Sequence, residues 1–144
     1  VAHLFAYGSL MWVDILAKVC GPEAAPSHPP QPARLADHAR RPVRGQDYPG
    51  LIPHVGGEVS GCVYLDLPEA AWARLDTFEG PEYQRGEVLV SGPDGAPLRA
   101  FAYLFKGDHS HLLEEGEWDE GRFEREGKAR FIERYVGFGA VGPR

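Results

Sequence analysis

Glu79 closes the segment Leu75-Asp76-Thr77-Phe78-Glu79-Gly80, and Tyr7-Gly8-Ser9-Leu10 follows an apolar run near the start of the chain. The two segments offer complementary chemistry. A strand that stops at Tyr7 and turns at Gly8-Ser9 into a helix leaves backbone N–H groups without internal partners, a natural seat for an anion. Glu79 follows Trp72 by seven residues and Leu75 by four, so it continues the apolar stripe of a helix that starts at Pro68. Burial and the unpaired carbonyls of a helix C-terminus both disfavour its carboxylate and raise its pKa, the tuning that general-base work requires. If the two segments meet, they form a small pocket that holds an anionic substrate beside a base. The competing reading of Glu79 is a frayed last turn in which it pairs with Arg85.

Other candidates are weaker. Asp76 lies off the Trp72–Leu75 stripe and is expected to support the turn at Gly80-Pro81. Glu82 sits in that turn and is expected to be solvated. Tyr83 either points its hydroxyl at Glu79 as an orienting donor or packs its ring over the helix end. His109-Ser110-His111 with Asp108 matches no closed zinc pattern, so no metal site is expected and the segment reads as a polar loop. The Arg40-Arg41-Pro42-Val43-Arg44 run near His38 either steers an acidic substrate or, as charge runs usually do, lines a solvated edge.

The elements that must position these residues follow from patterning. Residues 2–7 read as a buried strand and residues 12–20, with Ile15, Leu16 and Val19, as a short helix stopped by Gly21-Pro22. Five prolines between Pro22 and Pro32 make a surface connection. A strand over 33–41 leads into a loop through Tyr48-Pro49-Gly50, which climbs into Leu51-Ile52. Residues 58–67 form a further strand, with Gly61 as a candidate bulge. A helix follows from Pro68 to the stop at Gly80-Pro81. The runs 83–91 and 98–105 flank an Asp94-Gly95 step and predict an antiparallel hairpin. From Trp118 a helix presents Phe123, Gly127, Phe131 and Tyr135 on one face, with Glu124–Lys128 and Glu126–Arg130 as i,i+4 pairs on the other. This order predicts an α+β fold, a small barrel or strongly curved sheet with flanking helices.

Composition sets the outer limits. The 144 residues suit a single domain spanning 1–144, long enough for a real core. A formal charge of −6 argues against a nucleic-acid partner, because phosphate binding depends on Lys and Arg. No apolar run approaches a membrane span, and the first residues lack the pattern of a signal peptide. Cys20 and Cys62 read as buried thiols in a reducing compartment rather than a disulfide, so a cytoplasmic location is expected.

Taken together, these segments resemble the gamma-glutamylcyclotransferase-like family, most closely its plant avirulence-induced-gene branch. Phe5-Ala6-Tyr7-Gly8-Ser9-Leu10 is similar to the family's substrate-loop motif, and Leu75-Asp76-Thr77-Phe78-Glu79-Gly80 to the segment bearing its catalytic acid. Tyr83-Gln84-Arg85, Tyr48-Pro49-Gly50-Leu51-Ile52-Pro53 and Gly116-Glu117-Trp118 add weaker likenesses, so the resemblance runs nearly end to end. It implies a compact barrel and a cofactor-free release of 5-oxoproline from a small gamma-glutamyl substrate. Glu79 would be the acid/base, with Tyr7, Gly8, Ser9, Leu10 and Tyr83 at the substrate. The chain departs from several branches at Leu10-Met11-Trp12, where a polar residue usually follows Tyr-Gly-Ser, which makes the rim more apolar. Two non-catalytic alternatives remain at this stage. One is a module of the same fold that binds such a metabolite without converting it; the other is an interaction domain that docks a partner through Phe131, Tyr135 and Phe138.

Overall fold

A computed structural model describes residues 2–136. Five strands, β1 (Ala2–Ala6), β2 (Gln31–Pro42), β3 (Pro49–Leu67), β4 (Tyr83–Ser91) and β5 (Pro97–Phe105), close into a barrel in the order β1-β3-β2-β4-β5. Neighbours are antiparallel except β1 and β5, which meet in parallel at Leu4 and Phe101 and complete the circle. Helices α1 (Val13–Cys20) and α2 (Glu69–Glu79) pack outside. This is the α+β barrel with flanking helices that the sequence predicts.

Side chains alternate across the barrel wall, as the pleat requires. Phe5, Leu35, Leu51, Val59, Val63, Val88, Val90, Ala100 and Ala102 fill one core cluster, drawn from all five strands and no helix. Their neighbours Leu4, Ala6, Tyr64, Leu67, Tyr103 and Phe105 face outward and meet Ile15, Leu16, Val19, Leu75 and Phe78 of the two helices. Burying side chains of this size stabilises a fold by roughly 1.5–3 kcal/mol each before conformational entropy is subtracted. At Gly61, β3 lies tight against the end of β1. A Cβ there would stand 2.3 Å from the Ala6 carbonyl oxygen.

Three expectations change. The segment around Pro49–Ile52 is strand rather than loop: β3 runs unbroken for 19 residues, and the turn lies earlier, closed by Val43 N–H on the Tyr48 carbonyl at 3.2 Å. Pro49 and Pro53 are tolerated because β1 pairs only with residues 62–67 of β3, so the first half of β3 has β2 alone as a neighbour. Gly61 is not a bulge, since it pairs in register with Ala33. The register break falls instead between Ala36 and His38, near Asp37 at φ 60° and Gly56 at φ 84°.

The C-terminal helix is the third change. It alternates α3 (Glu120–Arg122) and α4 (Lys128–Phe131) with π-turns at Phe123–Gly127 and Ile132–Val136. Phe123, Gly127 and Phe131 do share the buried face. A four-residue repeat drifts around a pure α-helix, and the wider i→i+5 turns bring it back into line. The same turns displace the expected surface pairs. Lys128 meets Asp14 at 3.1 Å, Arg130 meets Asp47, and Glu126 meets Arg122 at 3.8 Å. Phe138 lies outside the described residues, as does the Tyr135 side chain. No helix among the described residues is long and apolar enough to cross a membrane.

Candidate active site

The turn after β1 is built by two anchors on its own carbonyls. Arg40 Nη1 donates to the Tyr7 carbonyl at 2.7 Å, and the Tyr64 hydroxyl donates to the Leu10 carbonyl at 2.8 Å. Between them Ser9–Met11 forms a single 3₁₀ turn, closed by Met11 N–H on the Gly8 carbonyl at 2.9 Å. The N–H groups of Gly8, Ser9 and Leu10 come before that first turn bond and are left over by it. Gly8 also lets the turn lie against the next element: a Cβ would fall 2.8 Å from Pro49 Cγ and Cδ.

This turn forms one side of a cavity of about 440 Å³, counted out to its open mouth. Glu79 lines the same cavity, at the last residue of α2, where Gly80 leaves the helix at φ 86°. Tyr7, Gly8, Ser9, Leu10, Glu79 and Tyr83 are therefore brought together in one place, with Tyr48, Phe78, Tyr103 and Phe131 completing the wall. Pockets of this kind, mostly apolar with a few convergent polar groups, are where small ligands bind.

Three buried tyrosines surround the acid. The Tyr7 hydroxyl donates to the Tyr103 carbonyl at 2.6 Å, and the Tyr83 hydroxyl donates to the Pro49 carbonyl at 2.8 Å. Burial pushes both phenols well above their ordinary range. The nearby Glu79 charge pushes each further in the same direction, with the neighbouring Tyr7 the larger influence on Tyr83. Tyr103 is raised chiefly by burial, then by its hydrogen bond to Asp76, with Glu79 contributing less. All three hydroxyls therefore stay protonated near neutral pH and act as donors. Neither sequence alternative describes Tyr83: its hydroxyl donates to the Pro49 carbonyl beside the cavity, and its ring packs edge-on to Phe105 of β5 at 5.1 Å.

Two assignments need correction. Asp76 does not support the Gly80-Pro81 turn. Its Oδ1 accepts from the Tyr103 hydroxyl at 2.6 Å, and its Oδ2 lies 3.6 Å from Arg85. That pair gives Arg85 a partner other than Glu79, and the guanidinium also stacks over Trp72 at 5.0 Å. Nor is Arg40 part of a solvated edge: it is 8% exposed, bonded to Glu117 Oε1 at 2.7 Å and stacked on Trp118.

Sequence reasoning missed the place of Arg40 because of the register break at Asp37. Ala33 and Leu35 are buried on alternate residues, and where Asp37, at φ 60°, stands opposite residues 54–57 of β3 the phase shifts, so that Arg40 takes the next buried position instead of Ala39. Phe131 was legible as an apolar-face residue and Tyr103 lay unremarked in the 98–105 strand, but nothing in their spacing says that they border a cavity. Cys20 and Cys62 are both free; Cys20 is buried as expected, whereas Cys62 is partly exposed. His109 pairs with its neighbour Asp108 at 2.9 Å.

Residues 4–120 match the family model described as gamma-glutamyl cyclotransferase, AIG2-like. Among curated proteins, AIG2-like protein D of Arabidopsis thaliana is 32% identical over 121 residues, covering 81% of this chain and 74% of its own. A solution structure of an Arabidopsis thaliana protein superposes with a TM-score of 0.70 at 24% identity, over 92% of this chain and 78% of that one. A structure titled gamma-glutamyl cyclotransferase has the same fold, with a TM-score of 0.63 at 20% identity, over 99% of this chain and 89% of that one.

Proposed function

Because this chain belongs to the gamma-glutamyl cyclotransferase, AIG2-like family, we propose that it is itself a cyclotransferase that releases 5-oxoproline from a small gamma-glutamyl amide, peptide or amine. The observation that carries this reading is the shared cavity of Glu79 and the Tyr7–Leu10 turn. In the proposed reaction the leftover N–H groups of Gly8, Ser9 and Leu10 hold the substrate's α-carboxylate, or the oxyanion that develops at the γ-carbon. Donors fixed by the Arg40 and Tyr64 anchors need no reorganisation as charge builds up.

Glu79 takes a proton from the α-ammonium. The freed amine attacks the γ-carbonyl carbon, so that a C–N bond forms and closes a five-membered lactam. As the tetrahedral centre collapses, the original γ-carbon–nitrogen bond breaks and Glu79 delivers its proton to the departing nitrogen; the second proton, which the attacking nitrogen sheds on becoming the lactam N–H, passes to the same nitrogen. The products are 5-oxoproline and the amine, released as its ammonium ion. No water is consumed and no side-chain nucleophile takes part. Tyr83 and Tyr103, as neutral donors and wall residues, shape the space around the acid. We further read residues 1–144 as one domain acting in the cytoplasm, where both thiols would stay reduced.

Incubation with gamma-glutamyl compounds and detection of 5-oxoproline by mass spectrometry tests the reading. Turnover by the wild type and none by Glu79→Gln is the expected result. Binding without turnover would instead make the domain a metabolite sensor, and a near-normal rate for Glu79→Gln would remove Glu79 as the base.

A further inference from the structure

The cavity has a wall that the family match does not reach. The matched segment ends at residue 120, whereas Phe131 belongs to α4 and lines the cavity at 1% exposure. Its ring stands edge-on to Phe78 at 5.9 Å and to Tyr48 at 6.2 Å, with Phe123 behind it at 5.7 Å. Phe131 thus bridges the Glu79 end of α2 and the turn between β2 and β3.

The helix that carries it is held in place. Arg130 makes a two-pronged bond to Asp47 at 2.9 and 2.5 Å, and Lys128 pairs with Asp14 at 3.1 Å. Trp12 donates through its indole nitrogen to Glu124. Gly127 permits the close approach, since a Cβ there would sit 3.1 Å from Asp47 Oδ1. Two of these ties run to the first residues after the substrate turn, so helix and turn are set against each other across the cavity.

We infer that Phe131 is a specificity-determining residue that limits the size of the leaving amine, an inference that rests on the cyclotransferase reading. Glu79 must stand beside the departing nitrogen to protonate it, so the substituent on that nitrogen lies among the residues that flank Glu79. Phe78 is its neighbour in the chain, and Phe131 is packed on Phe78. An aromatic ring locked by three others yields little, so a bulky substituent meets a fixed wall. Narrow amines pass and wide ones do not.

The test is a series of gamma-glutamyl amides of methylamine, isobutylamine and 2-naphthylmethylamine, assayed for 5-oxoproline with wild type, F131A and F131L. The wild type should prefer the methylamide. F131A should raise the naphthylmethyl-to-methyl ratio of kcat/KM by about tenfold or more, the scale of discrimination in apolar pockets, with F131L in between. A folded F131L or F131A with the wild-type ratio, or a wild type that prefers the wide amide, overturns the inference. If the wild type forms no 5-oxoproline from any amide, the cyclotransferase reading falls first. Calorimetric Kd ratios for the same amides then decide the role of Phe131: a shift towards the wide amide in the variants supports the wall, and an unchanged ratio or no binding overturns it.

Discussion

The carbonyl of Tyr7 accepts a 2.7 Å hydrogen bond from Arg40, a cation that is itself 8% exposed. The bond ties the end of β1 to the C-terminal end of β2, two strands that are not neighbours in the barrel. Arg40→Met should leave that carbonyl without its charged donor and cost about 1–3 kcal/mol, measured by urea denaturation. As a positioning residue, Arg40 should also show itself kinetically, with KM for a gamma-glutamyl substrate rising more than kcat falls. Arg40→Lys should rescue stability better than binding, because one ammonium cannot serve both Tyr7 and Glu117 as the planar fork does.

Glu79→Gln keeps the size of the side chain and removes its capacity to carry a proton. Loss of turnover by about 10²–10⁴-fold is expected, with stability within about 1 kcal/mol of wild type. Asp76→Asn, by contrast, should leave a measurable rate, since Asp76 is engaged with Tyr103 and Arg85. Equal losses in the two variants would assign the base to the pair instead of to Glu79.

Gly8→Ala would place a methyl group 2.8 Å from the Pro49 ring. Pro49 is itself pinned, because its carbonyl accepts from Tyr83. The turn must therefore move, at a cost of about 1–3 kcal/mol. Thermal melting should register the cost, and binding of 5-oxoproline, followed by NMR shifts at Ser9 and Leu10, should weaken alongside it.

Alkaline pH should weaken the fold through its thiols. Burial raises Cys20 to about 11 and Cys62 to about 12. In the unfolded chain these groups ionise near 8.5, so between roughly pH 8.5 and pH 11–12 the unfolded state binds fewer protons than the folded state. Their contribution is thus fully present below pH 8.5 and is lost as pH rises, at up to about 1.4 kcal/mol per pH unit for each thiol. Urea midpoints at pH 8 and 10 check this. Cys20→Ala with Cys62→Ala should flatten the pH dependence, while the buried tyrosines retain a part of it at the upper end.

The barrel and the two candidate segments, Tyr7–Leu10 and the helix end at Glu79, were legible because they rest on local signals; that the two segments share a cavity was not. Strand alternation, the Asp94-Gly95 hairpin and the helix ending at Gly80 all sit in contiguous sequence. What stayed hidden depends on phase or on distant contact. The register break at Asp37 turned Arg40 inward, and the open side of β3 made prolines compatible with a strand. The i,i+4 pairs of the last helix failed because π-turns and partners such as Asp47 and Asp14 redirected the same charges. Asp76 was misplaced for a related reason, since its partner Tyr103 lies 27 residues away.

The parallel seam between β1 and β5 also bears on how the protein becomes competent to bind. Leu4 must find Phe101, nearly a hundred residues along the chain, before the circle is complete. Such long-range closure is slow relative to hairpin and helix formation. The Tyr7 hydroxyl reaches the Tyr103 carbonyl across that same seam, so the Tyr7–Leu10 turn takes its final position only when the first and fifth strands dock. Refolding followed by tryptophan fluorescence should therefore show an early phase without ligand affinity. Binding of 5-oxoproline should appear only with the last one, so that a nascent chain lacking β5 carries every residue of the turn and still has no site.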